Sequence, residues 1–450
     1  MVGVSTVDEL HQGTCPATQD AACGQDVPLA GGATAVVACG AAVNPSLAEP
    51  AVAWLITRIA CILAMYAGAM LWPITYDLRA ENPRAGFVVS LPQFYAEYAQ
   101  HQSEFGKKPM LGVRVGGAWR WLDPLVRWDA LWYLSVVEAG YVADASLPVQ
   151  QNICFFPLYP LLIRLLCQAG VNPLLGALLI ANLATLATAC LLYRVVARRA
   201  GLPAARWSLA LWLVFPSALF GCVPYADSLL SLVGLLSTAR LLENRCLAAG
   251  AWAGLASAVR PSGLALAASF VPAVFSRRWL SAIGGGILAI GGVVAFFGYL
   301  GWMSGDPWLY PHVIRSWRTE GTTLNPLAWA ASVILGLAQA AALVLRGGSP
   351  LQVYSGRVTD PLLLVWALAL LPAVRRLGWG VLFGALVMLL LPISASGTIS
   401  IGRYVWAVMP VFIAAGSSLA QSRWRWPTLL AFSVGLVWLS FLYGGGWEVI

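Results

Sequence analysis

The amino-acid sequence predicts an all-α, polytopic membrane protein, and two observations lead to this prediction. Hydrophobic residues make up 59% of the 450 residues, charged residues only 10%, and the mean hydropathy is +0.75. A soluble globular chain carries about 25% charged residues, so this chain has too few to cover a water-exposed surface. Several apolar stretches also reach the roughly 20 residues that a helix needs to cross a bilayer.

Basic residues lie between the apolar stretches and predict the topology. The net charge is +8, and arginines greatly outnumber lysines. Their short clusters are typical of topology determinants and not of a groove for phosphates, so we expect no binding of nucleic acid. By the positive-inside rule these clusters face the cytoplasm. They are Arg194, Arg198, Arg199 and Arg206; Arg240 and Arg245; Arg277 and Arg278; Arg375 and Arg376; and Arg423 and Arg425.

The first 50 residues differ from the rest of the chain. Residues 1–50 are rich in Ala, Gly, Pro and small polar residues and contain no long apolar core. They lack the basic start and apolar run of a signal peptide, and we expect a disordered tail. A membrane domain then covers 51–450 and begins with a span at 51–72. The polar and aromatic stretch that follows, about 73–153, is predicted to be a large first extracytoplasmic loop.

About ten to twelve membrane segments are predicted. Two prolines interrupt the apolar run NICFFPLYPLLIRLLC after this loop, which favours an interfacial helix over a crossing. The segment 327–345 disturbs the alternation of sides, so either it is re-entrant or the topology near 347–358 differs. The other predicted segments lie near 174–196, 207–223, 226–242, 280–302, 360–374, 379–392, 405–420 and 427–444.

Two short apolar stretches, 247–259 and 262–275, form a special case. Neither is long enough to cross a bilayer comfortably. Together they favour a pair of half-helices that meet at Arg260 and Pro261. Irregular backbone at such depth is tolerated only where protein or water shields it.

Cysteine and histidine usage excludes several site types. The nine cysteines form no C-x-x-C pair, so neither a zinc site nor a disulfide framework is supported. Three histidines, His11, His101 and His312, are too few and too dispersed for a histidine metal centre or a triad with a histidine base. We therefore assign no metal ligand from the sequence.

The stretch RWDALWYLSVVEAGY, which starts at Arg127, places a carboxylate among aromatic residues. Asp129 lies in the predicted outer loop, with Trp128, Trp132 and Tyr133 expected to hold it at the depth of the lipid headgroups. A carboxylate there could deprotonate an incoming hydroxyl. The alternative is that Asp129 caps the helix that follows, and composition alone favours this alternative.

Arg260 lies alone inside the apolar run AGLASAVRPSGLALAASF. A charge at such depth is costly and usually has a function with an anionic partner. The same segment contains no acidic residue, so an anionic lipid headgroup is an attractive partner. A snorkelling arginine at the end of a half-helix is the alternative interpretation.

Three further candidates lie at predicted outer ends of membrane helices. Asp227 begins a helix, where the helix dipole favours its charged form and a role as a cap or cation ligand. Arg403 and Tyr404 precede a late span, where arginine is suited to bidentate contacts with phosphate or to anchoring at the interface.

These candidates share one predicted side of the membrane. A base with one or two arginines at a lipid–water boundary suits transfer from a phosphate-linked lipid donor to a hydroxyl. The lipid phosphate is a good leaving group once arginine offsets its charge, so one carboxylate suffices, whereas glycoside hydrolysis requires two.

The motifs resemble those of the PIG-V-type mannosyltransferases, in the GT-C class of integral-membrane glycosyltransferases. RWDALWYLSVVEAGY, FFPLYPLL, PSALFGCVPYADSLLSL, AVRPSG and GRYVWAVMPVF occur in that family's order and spacing, over roughly residues 50–420. The most specific parts are W-D-x-x-x-Y followed by G-Y, and then F-F-P-L-Y-P.

The resemblance implies a GT-C-like fold and an inverting mannosyl or hexosyl transferase that uses a polyprenyl-phosphate donor outside the cytoplasm. The family's acidic residue in the first outer loop falls on Asp129 as base, and its second acidic residue falls on Asp227. Arg260, Arg403 and Tyr404 then bind the donor phosphate, with Arg127, Trp128, Tyr133 and Asp227 in support. Asp129 and Asp227 could together hold a divalent cation, although nothing in their spacing requires one.

The chain departs from the family pattern in its long first loop, its N-terminal tail and Leu131-Trp132-Tyr133 within the W-D motif. The last feature and the Ala-rich composition indicate a bacterial member in the plasma membrane, with a lipid, a glycan or a protein as acceptor. Two rival hypotheses remain. One is a transporter or flippase of polyprenyl-linked sugars, which needs no large loop with a base, and the other is a non-catalytic lipid-binding subunit.

Overall fold

The computed structural model describes residues 46–71, 77–78, 112–113, 117–141, 151–314, 325–346, 356–396, 398, 400–447 and 449. These residues lie within one compact unit, Val43–Ile450. Most of the predicted tail 1–50 and much of the predicted loop 73–153 are outside the described residues. The assignment of the tail and of the domain boundary stays a prediction.

Helices dominate the described ranges. In chain order they are α1 (Ala48–Leu71), α2 (Asp129–Ala139), α3 (Leu158–Gln168), α4 (Pro173–Leu213), α5 (Asp227–Leu242), α6 (Cys246–Val259), α7 (Val271–Val274), α8 (Trp279–Ser304), α9 (Leu309–Val313), α10 (Pro326–Leu345), α11 (Gly356–Ala369), α12 (Leu371–Val374), α13 (Trp379–Leu390), α14 (Ile393–Ser396), α15 (Ile401–Ala407), α16 (Met409–Leu419) and α17 (Arg425–Gly444).

Short 3₁₀ helices and one pair of strands complete these elements. The 3₁₀ helices are Gly117–Leu125, Asn152–Cys154, Pro216–Gly221, Pro261–Phe270 and Arg375–Leu377. Strands β1 (Asp77–Leu78) and β2 (Gly112–Val113) pair in parallel within the predicted outer loop. The predicted all-α membrane class is therefore confirmed, because the strands contribute only two residues each.

Five helical segments in the described part of the chain are long and apolar enough to cross a membrane: Ala48–Leu71, Pro173–Leu213, Trp279–Ser304, Val358–Leu377 and Arg425–Gly444. Shorter apolar helices of 10–17 residues are Leu158–Gln168, Cys246–Val259, Pro261–Val274, Leu327–Ala342, Trp379–Leu390 and Met409–Leu419. Such helices cross a bilayer only in combination, since each is shorter than the hydrocarbon core. The prediction of ten to twelve membrane segments therefore stays a prediction.

The predicted span 207–223 is wrong. Helix α4 bends at Gly201, whose φ of 83° breaks the helical backbone, and continues only to Leu213. Pro216 then opens a 3₁₀ helix. Proline lacks the backbone N–H that would extend α4 and fixes φ near −65°, so it starts a new helical segment here. This segment brings the chain to the start of α5.

The predicted span 405–420 is also divided. Helix α15 ends at Ala407 and α16 begins at Met409, with Val408 in a non-helical conformation between them. Pro410 at the start of α16 favours this break, since it cannot donate the hydrogen bond of a continuous helix. Arg403 and Tyr404 consequently lie on a short, separate helix.

The predicted pair of half-helices is confirmed. Helix α6 ends at Val259, Arg260 has extended backbone (φ −153°, ψ 152°), and a 3₁₀ helix starts at Pro261. The residue before a proline is driven out of the α region by a clash with the proline ring, which explains this break. The break leaves the Arg260 side chain at a buried helix junction.

Small residues allow several helices to pack closely around this junction. A Cβ atom added at Gly254 in α6 would overlap the Leu288 carbonyl oxygen in α8, and one at Gly292 in α8 would overlap the Gly254 carbonyl oxygen. Close backbone approach through glycine is typical of helices in membranes. Helices α1 and α17 approach in the same way at Gly68 and Gly444.

Basic residues gather at one end of the helices. Arg206 pairs with Glu49 at the start of α1, and Arg199 donates a hydrogen bond to the Leu242 carbonyl oxygen at the end of α5. Arg278 donates to the Asn244 carbonyl oxygen. These contacts place the arginines opposite the N-terminus of α5. Asp227 lies at that N-terminus, about 24 Å away along the helix at 1.5 Å per residue.

Candidate functional site

Asp129 begins helix α2 and follows a strained residue. Trp128, which precedes it, has φ 54° and ψ −120°, a conformation that non-glycine residues rarely adopt. Such backbone costs of order 1–3 kcal/mol and persists only where the surroundings enforce it. This conformation of Trp128 directs the chain so that Asp129 lies buried in the protein interior.

Two tyrosines enforce this conformation. The Asp129 backbone N–H donates to the Tyr225 hydroxyl (3.1 Å), which in turn donates to the Arg127 carbonyl oxygen (3.2 Å). The Arg127 N–H donates to the Tyr443 hydroxyl (3.2 Å). Neither Tyr225 nor Tyr443 was a candidate from the sequence. The PYAD motif contains Tyr225 and was the signal for it, whereas no motif contains Tyr443.

Arg127 has a structural role. Its guanidinium donates to the Val126 carbonyl oxygen (2.8 Å), to Asp123 Oδ2 (3.0 Å) and to the Gly444 carbonyl oxygen at the end of α17 (3.2 Å). Arginine in this position joins the segment before α2 to the last helix. It supports Asp129 through the backbone, because Tyr443 and Tyr225 hydrogen-bond to the Arg127 N–H and carbonyl oxygen.

The carboxylate of Asp129 pairs with Arg403. Arg403 Nη1 donates to Asp129 Oδ2, and both side chains are buried. The preceding residue, Trp128, makes no side-chain cap hydrogen bond, and Asp129 is the first helical residue. The ion pair, and not capping of α2, therefore explains the position of this carboxylate.

Asp227 and Arg260 form a second ion pair, which corrects the sequence-based expectation for both. Arg260 Nη1 lies 2.6 Å from each carboxylate oxygen of Asp227, whose side chain is completely buried. The expectation that Arg260 lacks a protein partner considered only its own segment. The partner comes from the start of α5, 33 residues away in the chain. The paired Arg260 is also not a snorkelling side chain.

Tyr404 joins the two ion pairs. Arg260 Nη2 donates to the Tyr404 hydroxyl (3.2 Å), and the Arg260 guanidinium lies 5.0 Å from the centre of the Tyr404 ring. The Arg403 guanidinium lies 5.6 Å from the same ring. We refer to Asp129, Arg403, Tyr404, Arg260 and Asp227 as the charge cluster. Along this chain of contacts the charges run negative, positive, positive, negative, with Tyr404 between the two arginines.

The aromatic side chains beside Asp129 face the protein interior. Trp132 and Tyr133 are buried, with Trp132 stacked on Phe155 and Tyr133 edge-on to Phe155 and Tyr159. The expectation that these two residues anchor the loop in the lipid headgroups is therefore wrong. The FFPLYP motif instead supplies the rings against which α2 packs.

The Tyr133 hydroxyl lies within electrostatic range of the charges of the charge cluster. Burial raises its pKa above the ordinary value, and the Arg260 charge opposes this rise. The phenol therefore stays protonated at neutral pH. A protonated hydroxyl can donate a hydrogen bond, which suits a supporting role beside the cluster.

The described residues do not favour a divalent cation. Among them, no group of three or more His, Cys, Asp or Glu side chains lies close enough to hold a metal ion. Asp129 and Asp227 each face an arginine, so a cation between them would have to displace a guanidinium. The donor set of the charge cluster matches an anion better, because two guanidinium groups and a hydroxyl converge there.

The chain is similar to a known protein family over part of its length and to a solved structure. Residues 114–283 match the family model described as "Mannosyltransferase (PIG-V)". A search of curated proteins finds no match. Among solved structures, the chain is similar to ArnT from Cupriavidus metallidurans bound to undecaprenyl phosphate, with 14% identity, a TM-score of 0.45 and coverage of 84% of this chain. The chain spans 62% of the length of that ArnT chain.

The family match covers most of the charged residues of the charge cluster. It contains Asp129, Asp227 and Arg260, which carry three of the four charges in the charge cluster. Arg403 and Tyr404 lie beyond the matched segment and reach the same place through the fold. The resemblance to the PIG-V-type mannosyltransferases that the motifs indicate is therefore confirmed over residues 114–283.

Proposed function

We propose that this protein transfers a mannosyl or other hexosyl residue from a polyprenyl-phosphate-linked donor to a hydroxyl acceptor. The charge cluster is the observation that carries the proposal, because it combines a carboxylate base with two guanidinium groups in one buried place. The family match supports a glycosyltransferase, and the apolar helices support a donor that resides in the membrane.

The arginines match the change in charge at the donor. A sugar phosphodiester carries one negative charge, and the released lipid phosphate gains a second as the bond between C1 and the phosphate oxygen breaks. Arg260 and Arg403 offset this developing charge in a site where water is largely excluded. Fixed donors aimed at a developing charge are often the largest single contribution to catalysis.

Asp129 acts as the base. The acceptor oxygen attacks C1 from the side opposite the phosphate, and its proton passes to the Asp129 carboxylate. A single displacement of this kind inverts the configuration at C1. Ion pairing with Arg403 orients the carboxylate, and its side chain keeps 11% exposure, through which an acceptor can reach it.

The charge cluster acts from the extracytoplasmic side in this proposal. The arginine clusters gather at the opposite end of the helices, and the positive-inside rule assigns that end to the cytoplasm. The donor sugar is then presented outside, and the acceptor is a lipid, a glycan or a protein hydroxyl that reaches this face.

Asp129→Asn tests the proposal. We expect the variant to lose more than about 99% of transfer, since a positioned base contributes roughly 10²–10⁴-fold. Transfer is measured from radiolabelled polyprenyl-phosphate mannose in reconstituted vesicles. Phosphatidylinositol, octyl α-mannoside and a threonine-containing peptide serve as acceptor probes, and the anomeric configuration of the product reports inversion.

Two controls make the result interpretable. Asp306→Asn changes an exposed carboxylate that pairs with His312 outside the charge cluster, and it should keep wild-type transfer. Binding of fluorescent polyprenyl phosphate to the Asp129→Asn variant should persist, which shows that the protein is folded. Full transfer by Asp129→Asn would remove its assignment as the base. Movement of the intact donor across the vesicle membrane by a wild type that transfers no sugar would favour a flippase instead.

A further inference from the structure

A third buried carboxylate lies behind the charge cluster. Asp360 in α11 has only 4% exposure and was not a candidate from the sequence. Its Oδ1 accepts a hydrogen bond from the Gly402 backbone N–H (3.1 Å). This donor lies in the first turn of helix α15.

The hydrogen bond to Asp360 supplies the N-terminal cap that α15 lacks in its own sequence. The first N–H groups of a helix have no partner within the helix and need an external acceptor. Ser400, the residue that precedes α15, makes no side-chain cap hydrogen bond and has a left-handed backbone with φ 62°. Asp360 therefore caps α15 from a different helix.

Gly402 makes the close approach possible. A Cβ atom at this position would lie 2.5 Å from Asp360 Oδ1 and 2.6 Å from Ser217 Oγ. Any larger residue would push the start of α15 away from the carboxylate. The glycine in the GRY motif is thus explained by its contact with Asp360.

The next two residues of α15 belong to the charge cluster. Arg403 pairs with Asp129, and Tyr404 accepts a hydrogen bond from Arg260. A helix of seven residues has little stability of its own, so the cap decides where its side chains lie. Asp360 Oδ2 has no hydrogen-bond partner among the residues that the structure describes, so the hydrogen bond from Gly402 is the one that ties this side chain to α15.

We infer that Asp360 is a positioning residue, which sets the place of Arg403 and Tyr404 in the charge cluster by capping α15. The inference rests on the proposed function for its catalytic consequence. Asp360 contacts neither Asp129 nor Arg260 by any hydrogen bond in the described part of the chain, so it acts on the reaction through α15.

Substitutions at Asp360 test this inference in the vesicle assay. Asp360→Ala removes the cap, and we expect a loss of transfer of about 10- to 100-fold, because a displacement near 1 Å costs up to about 100-fold. Asp360→Asn keeps an acceptor oxygen and should recover most of that loss. A loss in Asp360→Asn equal to that in Asp360→Ala would overturn the capping role.

A double-mutant cycle of melting temperatures distinguishes this positioning role from a cap that only stabilises α15. Asp129→Asn should lower the melting temperature of the wild-type background but have little further effect in the Asp360→Ala background, where Arg403 is already displaced. Substitutions without a shared interaction add within about 0.5 kcal/mol. Simple additivity of the two shifts would therefore overturn the inference. Asp306→Asn, outside the cluster, serves as the additive control.

These experiments distinguish failure of the proposed function from failure of the inference about Asp360. If the wild type transfers no mannose, the proposed function fails, whereas the thermal cycle still decides the role of Asp360. If Asp360→Ala does not fold, Gly402→Ala replaces it in both assays, and Asp360→Asn stays the variant that keeps the cap. Gly402→Ala should reproduce the loss of transfer and of thermal coupling, and full transfer by Gly402→Ala would contradict the inference.

Discussion

The two arginines of the charge cluster each hold a carboxylate. Arg260 is bound by both oxygens of Asp227, and Arg403 is bound by Asp129. A lipid phosphate that enters the cluster therefore competes with these carboxylates for the guanidinium groups. Under the proposed function, the carboxylates orient the arginines before the donor arrives, which limits the reorganisation that phosphate binding requires.

Removal of Arg260 alone is an ambiguous experiment. It would leave the Asp227 carboxylate buried without its partner, and breaking a buried pair costs about 3–5 kcal/mol. A loss of activity would then report unfolding as well as donor binding. The neutral pair Arg260→Gln with Asp227→Asn keeps hydrogen-bonding groups on both sides and removes both charges.

We expect this double variant to fold and to bind fluorescent polyprenyl phosphate at least about tenfold more weakly, since loss of one buried charge contact costs about 2–5 kcal/mol. Acceptor binding should change less. The single variant Asp227→Asn is the comparison that keeps the Arg260 charge. Because it also breaks the buried pair, its melting temperature is measured beside its affinity, and the folded protein should bind the lipid phosphate at least as tightly as the wild type. Unchanged affinity in the double variant would remove Arg260 from the donor site.

At the scale of the elements, the contact between α6 and α8 fixes the position of Arg260. Helix α6 ends directly before Arg260. Its face towards α8 carries the buried glycines Gly250 and Gly254, at which the two helix backbones approach closely. Without a strong hydrophobic drive between helices in lipid, such close packing supplies much of the association. The junction at Arg260 and Pro261 is consequently supported by α8 as well as by the hydrogen bonds of Arg260.

Gly254→Ala should loosen this contact. The added Cβ would overlap the Leu288 carbonyl oxygen, and overpacking of this kind costs about 1–3 kcal/mol. We expect a lower melting temperature in detergent and a weaker affinity for polyprenyl phosphate. Gly291→Ala in α8 is the matched control, because no atom lies within 4 Å of its added Cβ. It should be neutral or slightly stabilising, and equal effects of the two variants would contradict the role of this contact.

Sequence reasoning succeeded where the signal was local. The Arg260–Pro261 break follows from the steric effect of one proline on the residue before it. Spans were misplaced at 207–223 and 405–420, where apolar composition continues across Pro216 and Pro410. Hydropathy does not register such breaks, because it averages over the window.

Pairings between distant segments were not predictable from one sequence. Arg260 and Asp227 lie on different helices, and Arg403 and Asp129 are 274 residues apart. The sequence identified all four residues as candidates by their type and predicted depth, but it assigned no partner to either arginine. Asp360 escaped notice entirely, since a carboxylate near the start of an apolar run resembles an ordinary interfacial residue.

At the scale of the whole molecule, the clustered arginines lie at one end of the helices and the charge cluster lies towards the other. Helix α8 runs from Arg278, which contacts the loop after α5, to Ser304 beside Asp306. Its 26 residues extend about 39 Å, which exceeds the hydrocarbon thickness of about 30 Å. Its final turns pack on Ile153 and Phe156 of the segment that supports α2. Residues 277 and 306 therefore mark the basic end and the end that holds the charge cluster.

Labelling of these two positions tests the orientation. In a variant with all nine native cysteines replaced by serine, Arg277→Cys introduces one thiol at an exposed position and Asp306→Cys one at a half-exposed position. In sealed vesicles of known orientation, a membrane-impermeant maleimide added outside should label Cys at 306 and should label Cys at 277 only after permeabilisation. The reason is that clustered arginines are retained on the cytoplasmic side. The reverse pattern would place the charge cluster in the cytoplasm, and equal labelling of both thiols would mean that α8 does not cross the membrane.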